Sequence, residues 1–309
     1  MFPLDGKKIA EEILDRLGAR PVPKKFLAGV IIGDDPASIS FQNIKKRTAE
    51  KLGVDYRIYR LDPELGNDSL RREVGKIAAH KTCGGVIVQL PLPEDLGRHY
   101  VMNAIPREKD PDVLGERALG AFYAGRSKIL PPSVTTLSSI LARIYADETR
   151  INAERSDSPY LKSLAVAVIG TGFLIGRPIV HWLMDKVKEL IILGKRSDLS
   201  ILQTADLVVT GTGVPGLVKP EMLKDGASVI DFGYGKVSEK RKAKSEKLYS
   251  DTEELLLGDE SPLLVGDFDS SLIAHRSSLL ASAWYTPTPG GTGPILVAKL
   301  FENFYQLNN

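Results

Sequence analysis

The sequence predicts an α/β fold built from two parallel-sheet units, on three observations. Short apolar runs alternate with helical patterns from the start of the chain, a second alternation of the same kind begins near Leu164, and Gly170, Gly172 and Gly176 punctuate the junction between an apolar strand and a helix. Strands buried on both faces read as continuous hydrophobic runs, and these runs do. At 309 residues the chain exceeds what one hydrophobic core usually serves, so two domains are expected.

In the first unit the periodicity predicts helices over 6–17 and 39–52 and strands over 26–32, 56–61 and 85–90. The pattern changes at Pro131 and Pro132. Residues 133–146 read as a helix with Ser133 as its cap, and the polar stretch 147–159 reads as a surface loop. Strand 164–169, helix 175–184 and strands 190–193, 207–210 and 228–232 then make a separate nucleotide-binding type of domain. The run 236–247 is almost wholly charged and small, and reads as a solvated insertion. Residues 295–307 form an amphipathic helix whose Ile295, Leu296, Ala298, Leu300 and Phe301 need a surface to cover, for which the first domain is the expected one.

Composition narrows the function. With 43% hydrophobic and 26% charged residues the chain is of globular type, and Lys plus Arg total 41 against 39 for Asp plus Glu. That balance leaves no electrostatic footprint for nucleic acid or an anionic membrane, so neither is an expected partner. Cys83 is the single cysteine, which excludes an internal disulfide and a thiolate metal cluster and fits a reducing compartment. His80, His99, His181 and His275 lack ligand spacing, and no metal is expected. The first residues have no signal or transit character, no apolar run approaches membrane length, and the chain reads as cytoplasmic.

Several residues carry chemistry. Val86 to Val88 form a buried run that ends in Gln89, and Pro91 and Pro93 forbid its continuation. Open parallel sheets bind ligands beyond the carboxyl ends of their strands, which places Gln89 to hydrogen-bond a ligand or a catalytic group; a turn whose amide satisfies backbone groups is the other reading. Phe41 and Lys45 stand four apart and share a helix face. A lysine beside an apolar ring, away from bulk water, loses its charge readily enough to act as an acid or base, although on these residues alone a basic exposed stretch with Lys46 and Arg47 is the simpler reading. Lys109-Asp110-Pro111-Asp112 is a rigid acidic turn, of a composition that commonly binds its own backbone.

In the second unit Gly170 allows a tight turn, Gly172 lets backbone approach a pyrophosphate, and the following helix start offers free N–H groups near Thr171 and Arg177. The spacing is G-x-G-x-x-x-G, one residue longer than the common form. An acid at the end of the next strand would favour NAD. Here Lys195, Arg196 and Ser197 stand there, two cations and a hydroxyl suited to a 2′-phosphate, so NADP is the expected cofactor, with plain surface charges as the alternative. Residues 285–294 join three prolines to three glycines, which suits either a wall of a ligand cleft, with Pro289, Gly290 and Gly291 at its tip, or a hinge.

Taken in order, Pro36-Ala37-Ser38 with Lys45, Gln89-Leu90-Pro91-Leu92-Pro93, Lys109-Asp110-x-Asp112, Gly170 to Pro178, Ile230-Asp231-Phe232-Gly233 and Thr286 to Pro294 strongly resemble the bifunctional methylenetetrahydrofolate dehydrogenase/cyclohydrolase family, over nearly the whole chain. The resemblance implies a three-layer αβα catalytic domain (1–135 plus 285–309), a Rossmann-type NADP-binding domain (136–284), and a cleft between them. It implies oxidation of 5,10-methylenetetrahydrofolate with NADP, hydrolysis of the methenyl product to 10-formyltetrahydrofolate, and a homodimer. By position, Lys45 would be the general acid/base of the hydrolysis, Gln89 would tune it, and Asp112 would bind the amino-pyrimidine edge of the pterin. Phe41 and the Pro289-Gly290-Gly291 turn would contact the folate, and Gly170, Thr171, Gly172, Arg177, Lys195, Arg196 and Ser197 the cofactor.

The chain also departs from the family. Phe41 replaces a tyrosine and keeps the stacking ring without the hydroxyl, Val113-Leu114 stands for Gly-Phe, and Pro131-Pro132-Ser133-Val134 replaces Pro-Cys-Thr-Pro. Two rival readings follow: a paralogue that binds nucleotide or folate without turnover, and an NADP dehydrogenase for another small substrate. Folate, added on top of saturating NADP, is expected to raise the melting temperature by selective binding to the native state; no shift would favour the rival substrate.

Overall fold

The structure, a computed structural model, describes residues 1–145, 160–236, 264–276 and 283–309; the polar stretch 147–159 and all but the first residue of the charged run lie outside them. Two compact units result, residues 8–136 with 295–309 and residues 1–7 with 137–294.

The chain begins with β1 (Phe2–Pro3) and α1 (Gly6–Gly18), then enters the first sheet with β2 (Phe26–Ile32), α2 (Pro36–Leu52), β3 (Tyr56–Leu61), α3 (Gly66–Ala79) and β4 (Cys83–Val88). The three strands are parallel in the order β3-β2-β4. Every residue of β2 and β4 is buried, whereas β3, at the edge, alternates. Helix α2 starts three residues earlier than its apolar periodicity predicts. Asp35 caps it by accepting the Ser38 N–H at 2.8 Å, Pro36 supplies a first-turn φ, and Gly53 at φ 70° closes the other end. β4 ends at Val88 and not at Leu90, yet the Gln89 N–H still donates to the Val30 carbonyl at 2.9 Å, so its direction is set by the sheet.

Beyond β4 come α4 (Arg98–Met102), α5 (Glu116–Tyr123) and α6 (Pro132–Ile144). Ser133 is not the cap of α6. Pro132 enters the helix with its fixed φ, so Ser133 lies within the first turn, 2% exposed, and its hydroxyl has no partner among the described residues. Between α4 and α5 the buried Asp110 gathers the chain around its carboxylate, accepting the N–H groups of Leu114 at 3.0 Å and Gly115 at 2.7 Å. This turn forces Val113 to φ 57°, a left-handed conformation that costs a β-branched residue about 1–2 kcal/mol. Its side chain is fully buried, worth about 1.5–3 kcal/mol, and that burial offsets the strain.

The second unit carries β5 (Ala165–Ile169), α7 (Gly176–Leu183), β6 (Glu189–Leu193), β7 (Leu207–Thr210), β8 (Ser228–Asp231), the antiparallel pair β9 (Gly235–Lys236) and β10 (Leu264–Val265), and β11 (Trp284–Tyr285). Its main sheet runs β1-β11-β8-β7-β5-β6, with every pairing parallel. The chain leaves β5 for β6 on one side and then crosses to β7 on the other. The order therefore reverses beside β5, and the crevice beyond the carboxyl ends of β5 and β7 is where such sheets bind ligands. Residues 1–7 and 285–294, grouped with the first domain on sequence, run with this sheet because β1 and β11 are hydrogen-bonded into its edge.

The last helix, α8 (Thr292–Asn308), buries Phe301, Phe304 and Tyr305 completely, and residues 295–309 belong to the first unit. Asn303 Nδ2 donates to the carbonyls of Pro111 at 2.8 Å and Leu130 at 2.9 Å, tying this helix to the acidic turn. At position 113 the usual order of truncations is expected to invert. Val113→Ala keeps the strained φ and loses the burial, whereas Val113→Gly loses both, so denaturant unfolding should find the glycine variant the more stable of the two by about 1 kcal/mol.

Candidate active site

The residues beyond β4 and along α2 converge on one lysine. Lys45 Nζ donates to Gln89 Oε1 at 2.8 Å, and Gln42, one turn earlier on the same face of α2, donates its amide N–H to the same oxygen at 3.5 Å. Gln89 Nε2 is engaged by the Leu90 carbonyl at 2.7 Å, so the amide turns its oxygen and not its nitrogen to the lysine. The Tyr56 hydroxyl donates to Gln42 Oε1 and completes a relay from β3 through α2 to the end of β4.

Electrostatics follow from the burial. Desolvation holds the Lys45 pKa below its ordinary value although the charge of Asp112 pulls it up. Desolvation likewise raises Asp112, with Lys45 opposing. On both sides burial outweighs mutual attraction, so the charged form of each group is disfavoured. Burial first, and then the charge of Asp112, push the Tyr56 phenol above its usual value, which keeps the proton that it donates to Gln42. Asp110 is pushed up from 3.8 to about 7, by burial first and also by Asp112, against the N–H groups it accepts. With its folded value above the unfolded one, its contribution to stability is complete below about pH 4 and is lost as pH rises through about 7.

At the reversal point of the second sheet, Gly170 has φ 92°, and a Cβ on Gly176 would lie 1.8 Å from the Gly170 carbonyl oxygen. Only glycine permits this turn. Thr171 and Gly172 are exposed, and the Arg177 guanidinium donates to the Thr171 carbonyl at 3.1 Å, bracing the turn. After β6, Lys195 and Arg196 are exposed, while the Ser197 hydroxyl accepts the Gly194 N–H at 2.9 Å and shapes the loop that presents them.

Residues 4–112 match the tetrahydrofolate dehydrogenase/cyclohydrolase catalytic domain, and residues 154–309 match the NAD(P)-binding domain of the same family. The chain belongs to the tetrahydrofolate dehydrogenase/cyclohydrolase family. Among relatives, a bifunctional FolD protein of Macrococcus caseolyticus is 31% identical over 97% of this chain and 95% of its own length. Of solved structures, the FolD methylenetetrahydrofolate dehydrogenase/cyclohydrolase of Campylobacter jejuni shares the fold with a TM-score of 0.77 at 24% identity, covering 98% of this chain and 97% of that one. The 5,10-methylenetetrahydrofolate dehydrogenase of the silkworm Bombyx mori gives a TM-score of 0.76 at 25% identity, covering 100% and 98%.

Of the residues singled out in this member of the tetrahydrofolate dehydrogenase/cyclohydrolase family, Lys45, Gln89 and Asp112 come together in the first unit, and half-buried Phe41 lies one turn before Lys45 on α2. Gly170, Thr171, Gly172 and Arg177 form one turn, and Lys195, Arg196 and Ser197 the loop after the neighbouring strand. Pro289, Gly290 and Gly291 belong to the second unit. Among the described residues no cluster of His, Cys, Asp or Glu could hold a metal, and no helix is long and apolar enough to cross a membrane.

Sequence reasoning missed Gln42 and Tyr56. Their signal was Gly29 in a wholly buried strand: a Cβ there would lie 2.2 Å from the Tyr56 hydroxyl and 2.3 Å from Gln42 Oε1. A glycine inside a strand marks a close approach, here of the relay itself. Gly29→Ala is expected to break the Tyr56–Gln42 bond and cost about 1–3 kcal/mol in denaturant unfolding, the range for stranding buried polar groups; a cost within error would show the relay to be pliable.

Proposed function

We propose that this chain oxidises 5,10-methylenetetrahydrofolate to the methenyl cation with NADP and then hydrolyses the cation to 10-formyltetrahydrofolate. The observation that carries the reading is a desolvated lysine held at 2.8 Å by a neutral amide oxygen beside a buried carboxylate, in a chain that matches both domains of the family.

Lys45, its pKa lowered by burial, gives up its proton more readily than a free lysine, and its Nζ then accepts a proton from the water adding to the methenyl carbon. Gln89 holds that amine in place without a charge that would keep it protonated. Asp112 suits the planar N–H array of the amino-pyrimidine, whose donors would satisfy a carboxylate that burial alone disfavours. Phe41 supplies a ring on which the folate can stack.

Gly170, Thr171, Gly172 and Arg177 fit a pyrophosphate: the turn is closed where Gly176 meets Gly170 and exposed at Thr171 and Gly172. Lys195 and Arg196, with Ser197, suit the 2′-phosphate that distinguishes NADP from NAD. The chemistry NADP supplies when bound is acceptance of the hydride; the protein's part is to place two carbons at contact distance. A homodimer in the cytoplasm is the setting that the family resemblance and the lone buried thiol of Cys83 favour.

The test follows both steps in one assay, at the wavelengths of NADPH and of the methenyl intermediate. Lys45→Met is expected to lower methenyl hydrolysis by about 10²–10⁴-fold, the usual worth of a positioned acid/base, while NADPH formation persists and the intermediate accumulates. Unchanged hydrolysis in this variant would refute the role of Lys45, and no NADPH formation by the parent protein would refute the dehydrogenase.

A further inference from the structure

Two aspartates that the lysine site does not use lie buried at the carboxyl edge of the second sheet. Asp231 ends β8 and is 1% exposed; Asp267, just beyond β10, is 0% exposed. Each fills space reserved by a glycine of the other's segment. A Cβ on Gly233 would lie 2.0 Å from Asp267 Cγ, and one on Gly266 would lie 2.1 Å from Asp231 Oδ2.

Their hydrogen bonds reach outward. Asp231 accepts the N–H groups of Gly233 at 2.7 Å and Phe268 at 2.9 Å, and that of Asp267 as well. Asp267 Oδ2 accepts the Thr210 hydroxyl at 2.7 Å and the Thr212 N–H at 2.6 Å. Asp267 Oδ1 is buried and has no partner among the described residues. Thr212 in turn abuts the glycine turn, its methyl 3.0 Å from where a Gly170 Cβ would be.

A carboxylate that holds two donors of one segment in a dry site fixes that segment, because releasing either donor would strand a buried polar group. We propose that Asp267, by accepting the Thr210 hydroxyl and the Thr212 N–H on one oxygen, fastens the 211–213 loop to the Gly170 turn, which makes Asp267 a positioning residue for the cofactor. This rests on the cofactor placement proposed above. Burial, with the charge of Asp267 adding to it, pushes Asp231 up from 3.8 to about 8. The elements around the pair present hydroxyls: Thr210 from β7, and, both bonded to the Asp231 backbone, Thr286 from the segment after β11 and Thr292 from the first residue of α8; Tyr285 of β11 turns its ring to Phe268. Above about pH 8 Asp231 gains a charge beside Asp267, and the fastening weakens.

NADP titration of the full-length protein across about pH 6 to 10 tests this. For the parent, Kd is expected to rise on the alkaline side of about pH 8. Asp267→Asn, an isostere that keeps an accepting oxygen and takes the charge from beside Asp231, is expected to keep the neutral-pH Kd within about threefold and to lose the alkaline rise, while Asp267→Ala raises Kd about tenfold or more at neutral pH. Under turnover the KM for NADP should follow Kd while that for methylenetetrahydrofolate stays put, a split that a merely structural role would not produce. Should the alanine variant fail to fold, Thr210→Val removes one donor to Oδ2 and is expected to raise Kd by a smaller factor. Unchanged Kd in folded Asp267→Ala, or in Thr210→Val where alanine is not tolerated, or a full alkaline rise in Asp267→Asn, overturns the proposal alone. A parent that binds no NADP, or one whose binding survives Gly176→Ala, overturns the cofactor placement and this proposal with it.

Discussion

Water is withheld from ionisable groups at the carboxyl ends of both sheets, and the rest of the architecture answers to that constraint. A buried charge is tolerated only with partners or with a displaced pKa, and Lys45, Asp110, Asp112 and Asp231 show one or both. The two ends solve the problem differently. In the first unit a neutral amide, Gln89, meets the lysine and leaves its proton labile; in the second, backbone N–H groups converge on carboxylates. One arrangement suits proton transfer, and the other suits holding backbone still.

The parallel strands were legible because runs such as Phe26–Ile32 and Leu207–Thr210 are apolar throughout, which only strands buried on both faces require. Gln89 was legible for a related reason: a single amide between a buried run and two prolines has few places to go. The acidic turn was half legible. Asp110 binds its own backbone as turns of that composition do, whereas Asp112 looks across to Lys45, and nothing local distinguishes the two.

What stayed hidden depends on register and on long-range pairing. Tyr56 meets Gln42 only because β3 pairs with β2 in one particular alignment, and Asp267 meets Thr210 across 57 positions of sequence. β11 is two residues long, too short for any period to declare it, so residues 285–294 could not be assigned to their sheet from sequence. Ser133 was misread because capping preference was weighed without the fixed φ of the proline before it.

Asn303 has a consequence for the order of events during synthesis. The carbonyls it holds, those of Pro111 and Leu130, frame the turn that carries Asp112, yet Asn303 lies 192 positions after Pro111. Domains generally fold as they emerge from the ribosome, but the first unit of this chain lacks its last helix until the residues after 294 have been made. The intervening residues 137–294 contain most of the second sheet and are made in the interval. The amino-terminal half is thus the later of the two to be completed, and a chain released early would carry a nucleotide-type sheet beside an unfinished lysine site.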